Sequence, residues 1–90
     1  MRFVFDQSKS DSNVRKHGID FVTAQQLWDD PNRVELSTRY PGEERWLLFA
    51  RIDGRLWTAV FTRRDSLIRI ISVRRARREE ESEYEKNFGR

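Results

Sequence analysis

The dipeptide Asp53-Gly54 constrains the fold most strongly, because it separates two apolar segments with β-strand patterning. A two-residue Asp-Gly connection is typical of a type I′ turn, whose twist matches that of two antiparallel strands. The pattern therefore predicts a hairpin formed by residues 45–52 and 55–63. Two further β-patterned segments, at residues 33–37 and 67–72, are bounded by turn signals at Tyr40-Pro41-Gly42 and Arg64-Asp65-Ser66. The sequence thus predicts an antiparallel meander of three or four strands.

The residues before this meander predict one short strand and two helices. Polar and apolar residues alternate over residues 2–5, which indicates a strand. Residues 8–17 are polar and compatible with a helix, and a second helix buries Phe21, Ala24, Leu27 and Trp28 at three- and four-residue spacing. Asp6 or Ser8 is the candidate N-cap of the first helix, and Gly18 ends it. Asp20 is the candidate N-cap of the second helix, which Asp30-Pro31 ends.

The pattern becomes helical again from about Val73, because Ala76, Glu80 and Tyr84 recur at four-residue spacing on one face of a helix. The order of elements is therefore a strand, two helices, the meander and a closing helix. This order predicts a small single α+β domain over residues 1–90, with an antiparallel sheet of about four strands, two N-terminal helices and a C-terminal helix. A chain of 90 residues has room for one such core.

The composition excludes several kinds of site. Because the chain has no cysteine and a single histidine, a disulfide framework, a thiolate metal site and a multi-histidine metal site are impossible. Charged residues interrupt every apolar run well short of the ~18 residues that cross a membrane. We therefore expect no membrane span and no signal peptide, a cytoplasmic location, and neither a cofactor nor a metal ion.

Arginine supplies most of the positive charge. The chain has 15 arginines and 3 lysines against 15 acidic residues, and seven of the arginines lie within residues 63–78. Arginine suits bidentate phosphate contacts and stacking on bases, so this segment favours nucleic-acid binding. The alternative is a solvated charged surface.

Arg69 lies in the middle of a predicted strand. Alternation places it on the same side as Ile71 and Val73, so its guanidinium group requires a partner. One alternative is an ion pair with a carboxylate such as Glu44 or Glu81. The other is an anionic substrate that lies over the sheet.

The predicted closing helix has an unfavourable distribution of charge. Arg74, Arg75, Arg77 and Arg78 gather at its N-terminal end, where the helix dipole favours carboxylates. An ion pair between one of these arginines and a glutamate four residues later stabilises a helix by only ~0.2–0.5 kcal/mol. The cluster therefore favours phosphate binding, and a solvated helix is the alternative.

Lys16 and His17 stand at the end of the first predicted helix. Cations there complement the helix dipole, which is a sufficient structural reason for both. The functional alternative is a phosphate contact by Lys16 and proton transfer by His17, since histidine exchanges protons easily near neutral pH. Glu44 is a candidate base or orienting acid, or else forms a surface salt bridge. Tyr84 is either a core residue or a surface for base stacking.

These residues together resemble the BrnT toxins over nearly the whole chain. The segments that carry the resemblance are Phe5-Asp6, Lys9, Asn13, Lys16-His17-Gly18, Phe21, Ala24, Glu43-Glu44-Arg45, residues 69–76, a glutamate and Tyr84. The resemblance implies a RelE-like fold and a metal-independent endoribonuclease that arrests translation. It also implies neutralisation by a BrnA antitoxin, a dimeric ribbon-helix-helix protein that binds operator DNA.

The candidate site follows from both lines of reasoning. RNA cleavage needs a base for the 2′-hydroxyl group, an acid for the departing 5′-oxygen, and cations around the transition state. We predict His17, Glu44, Arg69 and Arg74 as catalytic, and Lys16, Arg45, Arg63, Arg75 and Tyr84 as RNA-binding. The alternative is a catalytically inactive module that acts as antitoxin partner and transcriptional corepressor.

Overall fold

A computed structural model describes residues 1–38 and 42–88, so Tyr40 and Pro41 of the predicted loop lie outside the described residues. The elements follow the predicted order. They are β1 (Arg2–Val4), α1 (Gln7–His17), α2 (Phe21–Ala24), a 3-10 helix (Gln25–Asp29), β2 (Val34–Thr38), β3 (Arg45–Ile52), β4 (Arg55–Arg64), β5 (Leu67–Arg75) and α3 (Arg78–Phe88). Among these helices, none is long and apolar enough to cross a membrane.

The predicted helix caps are confirmed. Asp6 accepts hydrogen bonds from the backbone N–H groups of Ser8 at 2.9 Å and Lys9 at 3.3 Å, which satisfies donors that α1 leaves unpaired. Gly18 ends α1 in the left-handed conformation at φ 81°. Asp20 caps α2 through the Thr23 N–H at 2.6 Å. These caps fix where α1 ends and α2 begins.

The sheet has five strands in the order β1-β5-β4-β3-β2, consistent with the predicted sheet of about four. The pairs from β2 to β5 are antiparallel, but β1 runs parallel to β5, with Phe3 opposite Ile68. Two helices separate β1 from the meander, so no hairpin turn dictates its direction. Pairing there brings the Phe3 ring to 5.0 Å from Trp28, which adds an edge-to-face aromatic contact to the core.

The β3–β4 hairpin has the predicted register and turn. Ile52 pairs with Arg55, and both turn residues have positive φ, 49° at Asp53 and 80° at Gly54. A type I′ turn requires this conformation at both positions. The hairpin is therefore determined locally, by the two residues between its strands.

The sheet has two unlike faces. One face, called the α1 face, is covered by α1, α2 and the 3-10 helix and carries the main core, in which Phe21, Leu27, Ala59 and Phe61 are fully buried. The other, called the α3 face, has a smaller core of Phe49, Leu56 and Tyr84 beneath α3. Because α3 contacts β2 and β3, the part of this face formed by the hairpin end of β4 and β5 stays open.

The boundary between β5 and α3 differs from the prediction. The strand continues through Arg75, which pairs with Trp57, and the helix begins only at Arg78. The expectation of a helix from Val73 was wrong because the long partner strand β4 keeps residues 73–75 extended, so that Arg74 and Arg75 belong to the strand while Arg77 and Arg78 lie at the start of the helix. The first turn of α3 is instead acidic, with Glu79, Glu80 and Glu81, which complements the helix dipole.

Candidate functional site

A β-bulge in β5 determines which arginines share a face. The register shifts between Val60 and Phe61, so that Val60 pairs with Ser72 while Phe61 pairs with Ile70. The extra residue is Ile71, and an extra residue reverses strand alternation beyond it. Arg69, Ser72 and Arg74 consequently lie on the α3 face. The predicted grouping of Arg69 with Val73 was wrong, since Val73 is fully buried in the core of the α1 face.

Arg69 lies in an open cleft of about 310 Å³ on the α3 face. Its side chain is exposed, and among residues 1–38 and 42–88 no carboxylate forms an ion pair with it. The salt bridge to Glu44 or Glu81, one of the two alternatives for Arg69, is therefore absent from the described residues. Instead the cleft brings cations and carboxylates to one place without pairing Arg69. Its lining residues are Val4, Glu43, Glu44, Thr62, Arg63, Arg64, Leu67 and Arg69.

Glu44 is oriented by a hydrogen bond from the hydroxyl group of Ser37 to its Oε2. Ser37 belongs to β2, and Glu44 directly precedes β3, so the paired strands hold the carboxylate at the cleft. A carboxylate that accepts one such bond retains further lone pairs for a substrate proton. The structure thus brings two predicted catalytic residues, Glu44 and Arg69, to a single cleft.

Lys16 and His17 line a second cleft, of about 270 Å³, between α1 and the edge of β5. The edge is open here because β1 pairs with β5 only as far as Arg69. Both side chains are exposed. The lining residues are Lys9, Ser12, Asn13, Lys16, His17, Ile71 and Ser72. His17 and Glu44, the two predicted proton-transfer groups, therefore lie in different clefts.

Asn13 fixes the distance between α1 and β5. Its side chain is buried; Nδ2 donates to the carbonyl oxygens of Ile19 and Val73, both at 2.8 Å, and Oδ1 accepts from the Val73 N–H at 3.2 Å. The amide thereby forms the hydrogen bonds with the Val73 backbone that a neighbouring strand would form at the edge of β5. Since Lys16 follows one helical turn later, Asn13 holds it against the second cleft.

Arg74 is bound within the protein. Its Nη1 and Nη2 donate to Oε1 and Oε2 of Glu80, both at 2.8 Å, in a bidentate pair. Glu80 also accepts from the Thr58 hydroxyl at 2.9 Å and the Arg77 N–H at 2.8 Å. Burial opposes ionisation of this carboxyl group, but the bonds from Arg74, Arg77 and Thr58 outweigh it and lower the pKa of Glu80 to about 2. Arg74 thus joins β5 to the start of α3.

The cationic residues predicted to bind RNA are dispersed. Arg63 lies on the α1 face, paired with Glu35 at 2.8 Å and 4.7 Å from the Trp46 ring, although it also lines the Arg69 cleft. Arg75 stacks 5.5 Å from the Trp57 ring, on the face opposite Arg74. Arg45 begins β3 and is half-buried. Adjacent arginines in a strand point to opposite faces, so the sequence cluster does not form one patch.

Tyr84 is a core residue in this structure. Its side chain is 1% exposed and its hydroxyl group donates to Asp30 Oδ2 at 2.7 Å. Burial, together with this bond, raises the pKa of Tyr84 to about 12. The ring therefore offers no surface for a stacked base while α3 is in place, and the contact ties α3 to the end of the 3-10 helix.

Some residues of the two clefts were not predicted as site residues. Thr62 and Arg64 line the Arg69 cleft and carry no distinctive sequence signal, whereas Glu43 in that cleft, and Lys9 and Ser72 in the second one, belong to the segments that carry the family resemblance. Only the density of arginines on either side of the β4–β5 turn indicated that Arg64 belongs near Arg69. Within residues 1–38 and 42–88, no group of three or more His, Asp or Glu side chains could hold a metal ion. The cations that the site offers are those of arginine and lysine.

Comparison with known proteins gives one finding. A sequence model of the family described as "Ribonuclease toxin, BrnT, of type II toxin-antitoxin system" matches residues 5–80. This span includes every residue that lines the two clefts except Val4, together with the Arg74–Glu80 pair, and it ends within α3. A search of curated proteins finds no match.

Proposed function

The chain belongs to the BrnT family of ribonuclease toxins of type II toxin-antitoxin systems, and from this premise we propose that it is a metal-independent endoribonuclease that inhibits translation. The observation that carries the proposal is the exposed Arg69, without an ion-pair partner among the described residues, in a cleft that also contains Glu44. A guanidinium group in this position is available to a phosphate.

The proposed chemistry is attack of the RNA 2′-hydroxyl group on the adjacent phosphorus. A base removes the 2′ proton, the bond from phosphorus to the 5′-oxygen breaks, and an acid protonates the departing oxygen. Negative charge accumulates on the phosphoryl oxygens in the transition state, where fixed cations are most effective. We assign this stabilisation to Arg69, with Arg64 beside it in the cleft.

Glu44 and His17 are the two candidates for proton transfer. Glu44 lies in the same cleft as Arg69 and is oriented by Ser37, which favours it as the base. His17 lies across the edge of β5, where it reaches the RNA from the other side of the strand. Arg74 acts indirectly in this proposal, because its bidentate pair with Glu80 holds the end of β5 in place.

The proposed biological context is that of the family. A BrnA-like ribbon-helix-helix antitoxin encoded beside the toxin would neutralise it in the cytoplasm, and the complex would bind operator DNA through the antitoxin. The family's membership of type II systems supports a protein antitoxin.

Expression without antitoxin tests the proposal. We expect growth arrest and reduced protein synthesis from the wild type, and loss of both in Arg69→Ala with an unchanged circular dichroism spectrum. Arg55→Ala is the matched control, since Arg55 is exposed and lies at the opposite end of β4. A harmless wild type that still binds its antitoxin would instead support the catalytically inactive corepressor.

Glu44→Gln and His17→Gln separate the two proton-transfer candidates. Loss of RNA cleavage in Glu44→Gln, with RNA binding retained, is the expected result for a base. Full cleavage by that variant would refute the assignment and transfer the role to His17, provided that His17→Gln is inactive.

A further inference from the structure

The bulge at Ile71 has a consequence for substrate binding, because it moves Ser72 to the same face as Arg69. Without the extra residue, strand alternation would place these two side chains on opposite faces. Bulges often re-aim a side chain beside a functional site. Here the side chain that is re-aimed is a hydroxyl group at the cleft of Lys16 and His17.

We infer that Ser72 is an RNA-phosphate ligand, and that with Lys9 and Lys16 it forms a subsite for the phosphate next to the one that is cleaved. This inference rests on the proposed ribonuclease function and adds a second anchoring point to it. The ligand is a single phosphodiester group of the RNA backbone.

The hydroxyl group of Ser72 is available for a ligand. Its residue is half-buried, yet within the described part of the chain its side chain makes no hydrogen bond. Buried hydroxyl groups elsewhere in the protein are used internally: Ser10 accepts from the Phe21 N–H at 2.9 Å, and Thr58 donates to Glu80 at 2.9 Å. A half-buried hydroxyl group without a protein partner is ready to donate to a phosphate oxygen.

The second cleft has the charge of an anion site. Lys9 and Lys16 are seven residues apart on α1, which is two turns, so both point to the same side of the helix. Ser12 lies between them, and no carboxylate is among the described residues that line the cleft. The Arg69 cleft, by contrast, contains Glu43 and Glu44 together with its arginines. The second cleft therefore suits binding, and the first suits proton transfer.

The spacing of the two clefts fits one nucleic-acid strand. Ser72 follows Arg69 by three residues, one of which is the bulge, and a strand rises about 3.3 Å per residue. The two positions are therefore about 7–10 Å apart along β5. An RNA chain whose reacting phosphate lies at Arg69 can thus place a neighbouring phosphate at Ser72.

A binding experiment with Ser72→Ala tests the inference. The probes are a fluorescent single-stranded RNA in which every 2′-hydroxyl group is methylated and a DNA oligonucleotide of the same sequence, neither of which can be cleaved through a 2′-hydroxyl group. We expect Kd to rise at least about tenfold for both probes, because a hydrogen bond to a charged phosphate group is lost; tenfold corresponds to about 1.4 kcal/mol. Ser82→Ala, an exposed serine on α3, is the matched control and should leave Kd unchanged.

Each outcome decides a different point. An unchanged Kd in Ser72→Ala, beside normal binding by the wild type, would refute the subsite and leave the ribonuclease proposal intact. Weaker binding of the methylated RNA alone, with DNA binding unchanged, would show a contact to the 2′-oxygen and overturn the phosphate assignment. If wild type binds neither probe and cleaves no RNA, the proposed function itself fails. Lys9→Ala should weaken binding in the same way, and an equal Tm for all variants excludes unfolding as the cause.

Discussion

Glu80 should be the carboxylate on which the stability of the C-terminal helix most depends. We predict that Glu80→Gln lowers the free energy of unfolding by about 2 kcal/mol at neutral pH. A carboxyl pKa lowered from 4.5 to about 2 corresponds to roughly 3 kcal/mol, because each tenfold change in ionisation is about 1.4 kcal/mol. Glutamine keeps part of the hydrogen bonding to Arg74 and Thr58, and this reduces the loss.

Urea denaturation followed by circular dichroism measures the change in the free energy of unfolding. In thermal unfolding of a domain of this size, 2 kcal/mol corresponds to a fall in Tm on the order of 10 °C. The matched control is Glu81→Gln, which removes the same charge from the same helical turn at an exposed position. Exposed substitutions of this kind change stability by no more than about 0.5 kcal/mol.

The pH dependence gives the direction of the effect. A lowered pKa stabilises the folded state above the ordinary carboxyl pKa, and this stabilisation is lost as the pH falls from about 4.5 towards 2. The difference between wild type and Glu80→Gln should therefore be constant from pH 6 to 8 and shrink below pH 4.5. Equal stability of Glu80→Gln and Glu81→Gln, or a difference that is independent of pH down to 2, would refute the reasoning.

Three further substitutions test particular contacts by thermal or urea unfolding. Tyr84→Phe removes the hydrogen bond to Asp30 and should cost about 1 kcal/mol without changing RNA affinity; weaker RNA binding at equal stability would show that the hydroxyl group contacts RNA. Asn13→Ala leaves the Val73 backbone at the edge of β5 unpaired and should cost about 2–4 kcal/mol; a loss below 1 kcal/mol would show that water replaces the amide. Gly54→Ala forces a side chain into φ 80° and should cost about 1–2 kcal/mol, and a neutral result would mean that the turn changes type.

The β3–β4 hairpin and the helix ends were predictable because their signals are local. Asp53-Gly54 determines a turn type by itself, and the helix caps Asp6, Gly18 and Asp20 act within a few residues of their own positions. The parallel pairing of β1 with β5 was not predictable in this way, since it joins residues more than 60 positions apart and depends on tertiary packing.

The bulge and the start of α3 explain what the sequence could not show about the site. Ile70-Ile71 is apolar at both positions, so either phase of alternation satisfies the pattern and the extra residue leaves no trace. The segment from Val73 is compatible with a helix by its residue types, and pairing with β4 makes residues 73–75 part of a strand. Arg69 and Glu44 line one cleft, an arrangement that the sequence did not predict, and the engagement of Arg74 by Glu80 was likewise visible only in the folded structure.

Cleavage of RNA in EDTA tests whether Arg69 serves a metal-independent ribonuclease. Purified wild type, Arg69→Ala and Arg55→Ala are each incubated in excess over a defined RNA, and the fraction cleaved is followed in time. We predict cleavage by wild type and Arg55→Ala at equal rates, undiminished by EDTA, and a rate at least about a hundredfold lower in Arg69→Ala, as for the loss of one transition-state donor. Equal cleavage by Arg69→Ala would contradict the assignment of the site, and cleavage that EDTA abolishes would contradict its metal independence.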